Sequence, residues 1–250
     1  MLNKFKGLVL ASLIMTLGSM AMAQTELSAG QLAALKLKLS QRVPELPNID
    51  SARTTPMAGL IELKVGSNVV YTDANGDYLL EGQIVETKTQ RNLTEERLDD
   101  INKVDFAGLP FKDAVVWKVG TGKRRLVVFA DPNCGYCKHL EKEIQSLKDV
   151  TVYTFIIPIL GDDSKVKAEN IWCVANRTQA WRDWMLTGAT PARSMGMCAS
   201  PAQRNLALSQ KLRVQGTPAM FFEDGSRLAS AAGAATIEQR LNKATAKIGG

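Results

Sequence analysis

The apolar run Leu126-Val127-Val128-Phe129-Ala130 passes through Asp131-Pro132-Asn133 into Cys134-Gly135-Tyr136-Cys137, and a helix-like stretch, His139 to Leu147, follows. Such a run is a buried-type strand, so two thiols sit where a strand feeds a helix. The fold must therefore hold a βα unit with Cys134 at the helix N-terminus and Cys137 one turn on. Unpaired backbone N–H groups and the positive end of the helix dipole stabilise a thiolate at the first position. The second thiol is close enough to attack a mixed disulfide made by the first.

Downstream, Thr151 to Ile159 is a second apolar, β-branched strand, and Val166 to Met185 carries Ala168, Ile171, Trp172, Ala175 and Trp181 at helical spacing. Ala202 to Leu212 continues as helix. Ala219 to Phe222 and Arg227 to Ser230 flank the turn Asp224-Gly225, and a last helix is expected over about Ile237 to Lys247. A βαβ unit, a helical insertion and a closing ββα give residues 108–250 a thioredoxin-like architecture.

Upstream the pattern differs. Ser28 caps a helix with Gln31 at capping-box spacing, Leu32, Leu35, Leu39 and Val43 share one face, and Pro44 and Pro47 end it. Leu60 to Val65, Val69 to Thr72, Tyr78 to Glu81 and Ile84 to Lys88 read as short strands, with Asp73-Ala74-Asn75-Gly76 as a hairpin turn. Residues 24–90 thus form a small antiparallel α+β unit, free of cysteine and histidine, for which structure or binding is a better role than catalysis. So small a unit buries only about 60% of its unfolded surface. An exposed strand edge on it invites pairing with a second copy, so a homodimer is expected. Residues 91–107 follow as a linker helix, capped by Thr94 with Glu95 and Glu96 in its first turn; the alternative is an ordinary helix of a flanking domain.

The N-terminus reads as an export signal. Lys4 and Lys6 precede the apolar stretch Leu8 to Leu17, and Ala21-Met22-Ala23 offers a cleavage site, giving a signal peptide over residues 1–23. Ten apolar residues are too few for a hydrocarbon core that needs about 20. Export implies an oxidising compartment in which cysteine pairs form disulfides. Cleavage removes two lysines and no acids, so a net charge of +6 becomes +4. The basic residues are scattered, which excludes a phosphate-tracking stripe and makes nucleic acid an unlikely partner.

The pieces Asp131-Pro132-Asn133-Cys134-Gly135-Tyr136-Cys137, Ile171-Trp172-Cys173, Gly216-Thr217-Pro218-Ala219 and Pro56-Met57-Ala58-Gly59 together resemble the DsbC family of periplasmic disulfide isomerases. The resemblance implies an N-terminal dimerisation domain, a linker helix and a catalytic thioredoxin-like domain, located in the periplasm. It implies that Cys134 attacks non-native disulfides of misfolded or mis-oxidised exported proteins and that Cys137 resolves the mixed disulfide. Lys138, one turn along, is expected to favour the Cys134 thiolate. Thr217 and Pro218, with Gly135 and Tyr136, become the substrate-binding residues, and Pro218 is expected in the cis form only because the family has it so. A DsbD-like membrane thiol reductant is implied as the electron donor.

Cys173 and Cys198 read as a structural disulfide. Trp172 and Val174 flank Cys173 on an apolar helix, which disfavours a reactive thiolate. The alternative is a second redox pair relaying electrons. A zinc site from the four cysteines would lack a second close pair, and neither metal nor cofactor is expected. His139 is the single histidine and is expected at the surface, which leaves little room for acid–base or triad chemistry. Val128 occupies the position, six residues before the first cysteine, where thioredoxins carry a buried acid. Rival readings are a DsbG-like or oxidant-type oxidoreductase, and a holdase chaperone with auxiliary thiols.

Overall fold

The computed structural model describes residues 24–194 and 198–248. The expected signal peptide and its cleavage point after Ala23 lie outside them. The chain divides after Gly82 into two compact units. No helix among the described residues is long and apolar enough to cross a membrane.

In the first unit, α1 (Ala29–Arg42) starts at the expected capping box, with Ser28 and Gln31 bonding each other's backbone N–H. It lies beside a four-stranded antiparallel sheet of β1 (Ser51–Thr54), β2 (Leu60–Val65), β3 (Asn68–Asp73) and β4 (Leu79–Leu80), in that order. Leu35 and Leu39 on α1 pack into a core with Ile49, Ala52, Ile61, Leu63 and Val65. Strand β1 went unread in the sequence because its four residues, Ser-Ala-Arg-Thr, bury only Ala52. Its register sets Arg53 opposite Glu62, and the guanidinium grips that carboxylate at 2.7 and 2.8 Å. The β3–β4 turn needs Gly76, whose φ is +68° and whose missing side chain leaves room for Leu35, 3.0 Å from where a Cβ would stand. Strand β4 ends the sheet, and Tyr78, Leu79 and Leu80 along it are exposed.

The strand expected over Ile84–Lys88 does not join that sheet. Within the second unit, β5 (Val85–Glu86) pairs with β6 (Arg91–Asn92), and α2 (Leu93–Ile101) follows at once. Local bonds close this hairpin onto the helix start: the Ile84 amide donates to the Thr94 hydroxyl at 2.9 Å and the Leu93 amide to the Ile84 carbonyl at 2.8 Å. Asn92 rather than Thr94 is the cap, its side chain accepting from Glu95 N.

A 3-10 turn at Phe111–Asp113 leads into β7 (Val115–Val119), β8 (Arg124–Ala130), α3 (Gly135–Ile144), β9 (Val150–Ile156), α4 (Asp162–Cys173), α5 (Arg177–Thr187), α6 (Ala202–Lys211), β10 (Ala219–Phe222), β11 (Arg227–Leu228) and α7 (Ala234–Ile248). The sheet order is β11-β10-β8-β9-β7, with β8 and β9 parallel and the other pairs antiparallel. Strand β8 is central, and its two faces serve two cores as the period of two requires. Leu126, Val128 and Ala130 join α3, α5 and α7 residues such as Leu140, Trp181 and Leu241. Val127 and Phe129 join Phe106, Phe155 and Phe221, with α6 leucines against them. The single helix expected over Val166–Met185 is two: the chain becomes extended at Val174, and Asn176 caps α5 by accepting from Gln179 N.

Helix α2, expected as a spacer, is bound to the second unit through α7. Arg240, itself buried, meets the buried Asp99 carboxylate with both terminal nitrogens, at 2.6 and 2.7 Å. It also reaches Glu95 at 3.2 Å and the Arg227 carbonyl at 2.9 Å.

Candidate active site

The central strand β8 ends at Ala130, and a three-residue loop turns the chain into α3. Cys134 is the cap of that helix: its φ and ψ are −72° and 118°, and its sulfur accepts from the Cys137 amide at 3.3 Å. A thiol thus stands where a serine or aspartate usually satisfies an open amide. The Cys134 thiol in turn donates to the Thr217 carbonyl at 3.3 Å. The Thr217–Pro218 bond is cis, directly before β10, which pairs with β8.

Cys134, Cys137 and Thr217 are therefore gathered at one point, and both thiols are unbonded. Cys134 keeps 6% of its surface and Cys137 2%. Gly135 and Tyr136 between them, at the start of α3, are exposed, the tyrosine at 73%, so an open surface adjoins two buried sulfurs. Burial first, then the hydrogen bond with Cys134, pushes the Cys137 thiol far above the ordinary thiol range. The pair is asymmetric. One sulfur is the helix cap, and the other is a neutral thiol held in the core.

Asp131 holds the loop and was missed as a functional residue in the sequence. It has no exposed surface, and four donors converge on its carboxylate. Oδ1 accepts from Asn133 N at 2.7 Å and Ser164 Oγ at 2.8 Å, while Oδ2 accepts from Ile159 N at 2.7 Å and Leu160 N at 3.0 Å. It thereby ties the thiol loop to the turn after β9 and to α4. Asn133 adds bonds to Asp163 at 2.6 Å and Ser164 at 3.1 Å, and Trp184 Nε1 donates to the Pro132 carbonyl at 2.6 Å. Lys138 and Lys167 place their ammonium groups over the Trp184 ring, 4.1 and 4.5 Å from its centre. Lys138 is thus engaged with an aromatic face, the partner its flexible stem reaches.

Cys173 and Cys198 are bonded to each other. His139 is exposed, with Glu143 at 3.8 Å. Among the described residues no group of three or more His, Cys, Asp or Glu side chains is arranged to hold a metal.

Glu141, one turn beyond Cys137, is buried in the same helix face. Trp181 Nε1 donates to its Oε2 at 3.1 Å, and Oε1 has no protein partner. Burial pushes its carboxyl from 4.5 up to about 7, against the pull of Trp181 and Arg182. The sign of the consequence is fixed: between pH 4.5 and 7 the unfolded chain releases this proton while the fold retains it, so stability falls as pH rises through that window. The loss is on the order of 3 kcal/mol. Glu141→Gln should therefore be more stable than wild type at pH 8 by up to that amount, with the advantage gone below pH 4.5, as read by denaturant unfolding across pH. An advantage that does not change with pH would show that burial does not cost this carboxylate.

Comparison with known proteins bears on both units. Residues 26–95 match the family model for the disulfide bond isomerase protein N-terminal domain, and residues 111–245 match that for a thioredoxin-like domain. The chain is 38% identical over 211 residues to the probable thiol:disulfide interchange protein DsbC of Bordetella parapertussis, covering 84% of this chain and 74% of that one. This chain belongs to the DsbC family. DsbC of Escherichia coli K12 is 26% identical over 228 residues, covering 88% of this chain and 89% of that one. The crystal structure of a disulfide interchange protein from Neisseria gonorrhoeae covers 54% of this chain and 98% of its own at 34% identity, with a TM-score of 0.52. As a DsbC-family protein the chain is a thiol–disulfide oxidoreductase of the disulfide isomerase type, built on the expected pairing of a small N-terminal α+β domain with a thioredoxin-like domain.

Proposed function

We propose that Cys134 is the nucleophile of this isomerase and Cys137 its resolving thiol. The observation that carries the assignment is the shared position of the Cys134 sulfur: it caps α3, touches the Thr217 carbonyl, and adjoins the exposed Gly135 and Tyr136. The Cys134 thiolate attacks one sulfur of a non-native disulfide, forms a mixed disulfide, and releases the other substrate sulfur as a thiolate. If a second substrate thiol then attacks, Cys134 is regenerated and the substrate is isomerised. If Cys137 attacks instead, the substrate leaves reduced and Cys134–Cys137 is oxidised. Thr217, Pro218, Gly135 and Tyr136 form the surface that receives the substrate backbone. The Cys173–Cys198 bond braces the helical insertion and takes no part in exchange.

The remaining assignments extend this reading. The protein acts in the periplasm after cleavage behind Ala23, on mis-oxidised exported proteins. A DsbD-like membrane reductant returns the oxidised pair to the dithiol. Residues 24–90 dimerise, residues 91–107 connect, and residues 108–250 catalyse. The exposed edge of β4, with Tyr78, Leu79 and Leu80, supports pairing with a second copy.

The test is a trapping experiment on the whole chain with a scrambled-disulfide protein substrate. Cys137→Ala should accumulate a covalent complex that a small thiol releases, and Cys134→Ala should form none and lose at least 100-fold in rearrangement rate, the scale set by removing a covalent step. Full rearrangement by Cys134→Ala would overturn the assignment.

A further inference from the structure

Helix α6 ends in a turn that glycine would normally close. The Val214 amide donates to the Ser209 carbonyl at 2.8 Å and the Arg213 amide to the Gln210 carbonyl at 3.0 Å, the paired bonds of a Schellman motif. Its left-handed position is held by Arg213, at φ +54°. Glycine would serve that turn without the steric cost, which points to a use for the arginine side chain. Arg213 is exposed and faces the half-buried Arg227 of β11, whose Nη1 donates to the Leu212 carbonyl at 3.3 Å. Burial first, then the charge of Arg213, draws the Arg227 guanidinium below the ordinary arginine value. Among the described residues neither guanidinium has a carboxylate within 4.0 Å. Glu223 and Asp224, the acids that precede Arg227, are taken by Arg125 and Lys247.

The two arginines line a cavity of about 80 Å³ together with Gln215, Gly216, Phe221 and Leu228. That volume lies between the roughly 10–15 Å³ one water needs and the roughly 150 Å³ that holds benzene, so it suits a carboxyl group and not a ring. The cavity adjoins the exchange site. Gly216 is bonded to Thr217, whose carbonyl lies 3.3 Å from Cys134 Sγ, and Ala219 begins β10 directly after the cis bond. Met220 pairs with Leu228 across antiparallel strands, so Ala229, which also lines the cavity, stands at this same end of the sheet.

We propose that Arg213 and Arg227 form a subsite beside the Thr217–Pro218 turn that takes a side-chain carboxylate of the client protein, carried a few residues from the cysteine under attack. The inference rests on the exchange role given to Cys134 above. Exchange brings a polypeptide to Thr217, so the anion at hand is one that the client itself carries. An extended chain advances about 3.3 Å per residue, which puts an aspartate or glutamate within three residues of the attacked cysteine in reach. Its carboxylate relieves the repulsion between two like charges and accepts charge-assisted bonds from both. The arginines thereby set which client cysteines are favoured and leave the chemistry at sulfur unchanged.

The experiment offers the reduced full chain synthetic peptides, blocked at both ends, whose single cysteine carries thionitrobenzoate as a mixed disulfide, and follows release of that group optically. Each peptide has glutamate or glutamine at one position within three residues of the cysteine. At one register wild type should favour glutamate about tenfold, the scale of a charge-assisted hydrogen bond. The gain should appear in the half-saturating peptide concentration and not in the plateau rate, and should shrink as salt is added. Arg213→Gly and Arg227→Gln should each abolish the preference while reacting with the glutamine peptide as wild type does. Arg213→Gly also suits the left-handed turn, so its urea midpoint should not fall below that of wild type, and this variant decides the matter if Arg227→Gln folds poorly. Equal rates for glutamate and glutamine at every register, or a preference that survives Arg213→Gly, overturns the subsite and leaves Cys134 as nucleophile. Release at the wild-type rate by Cys134→Ala overturns the exchange assignment itself.

Discussion

Replacing Asp131 by alanine should destabilise the thioredoxin-like unit by about 3–5 kcal/mol, the scale for removing one partner from a buried charged network. Three backbone amides and one hydroxyl converge on that carboxylate, and alanine leaves all four without an acceptor. A bond to a charged group contributes about 1.5–3 kcal/mol, and four bonds on one group are not additive, because the side chain's own burial cost disappears with it. Asparagine separates geometry from charge. Its single carbonyl oxygen can serve one pair of donors, either Asn133 N with Ser164 Oγ or Ile159 N with Leu160 N, while its NH2 group confronts the other pair. Asp131→Asn should therefore be closer to alanine than to wild type. Because the same loop ends at Cys134, whose amide bonds the Asp131 carbonyl at 3.2 Å, disulfide rearrangement by Asp131→Asn should fall at least tenfold under conditions where it remains folded. The measurements are urea unfolding and rearrangement rate, and wild-type behaviour of Asp131→Asn in both would refute this account of the loop.

Arg240→Ala should cost a similar amount, about 3–5 kcal/mol, through a different route. Its two bonds to Asp99 are made where both side chains are nearly excluded from solvent, so truncation strands a carboxylate in the interior. Removing both charges behaves differently, since a well-packed apolar pair of similar volume is often neutral or better. Arg240→Met with Asp99→Leu should recover most of the loss. All four tryptophans lie in this unit, so their fluorescence in a denaturant titration reports it without interference from the first unit. A double variant as unstable as Arg240→Ala would mean that the Glu95 and Arg227 contacts, rather than the uncompensated charge, dominate.

Much of the fold was legible because local chemistry and the final structure agree. Ser28 and Gln31 announced α1, the Gly76 turn announced the β3–β4 hairpin, and five apolar residues before a CxxC announced the central strand and its helix. What was not legible depended on partners far along the chain. Strand β7 alternates buried Val115 and Trp117 with exposed Val116 and Lys118, but over five residues that period is too brief to stand out. The break between α4 and α5 was masked because apolar spacing from Ile171 and Trp172 to Trp181 runs on across it; Asn176 was the cap that could have revealed it. Asp131 stands in the segment leading into the CxxC pair, yet its partners Ile159, Leu160 and Ser164 lie 28 to 33 residues away. Glu141 carried a usable sign. Cys137, Leu140, Glu141 and Ile144 fall on one helical stripe, and an acid in such a stripe marks a buried carboxyl.

The sulfur proposed to begin exchange also fastens the start of its own helix, since the Cys137 amide has Cys134 Sγ as its acceptor. Once that sulfur is shared with a client protein, its lone pairs and direction change, and the fastening weakens while the complex persists. Covalent capture and the order of the first helical turn are thus one variable, and the amide of the second cysteine registers whether the first is occupied.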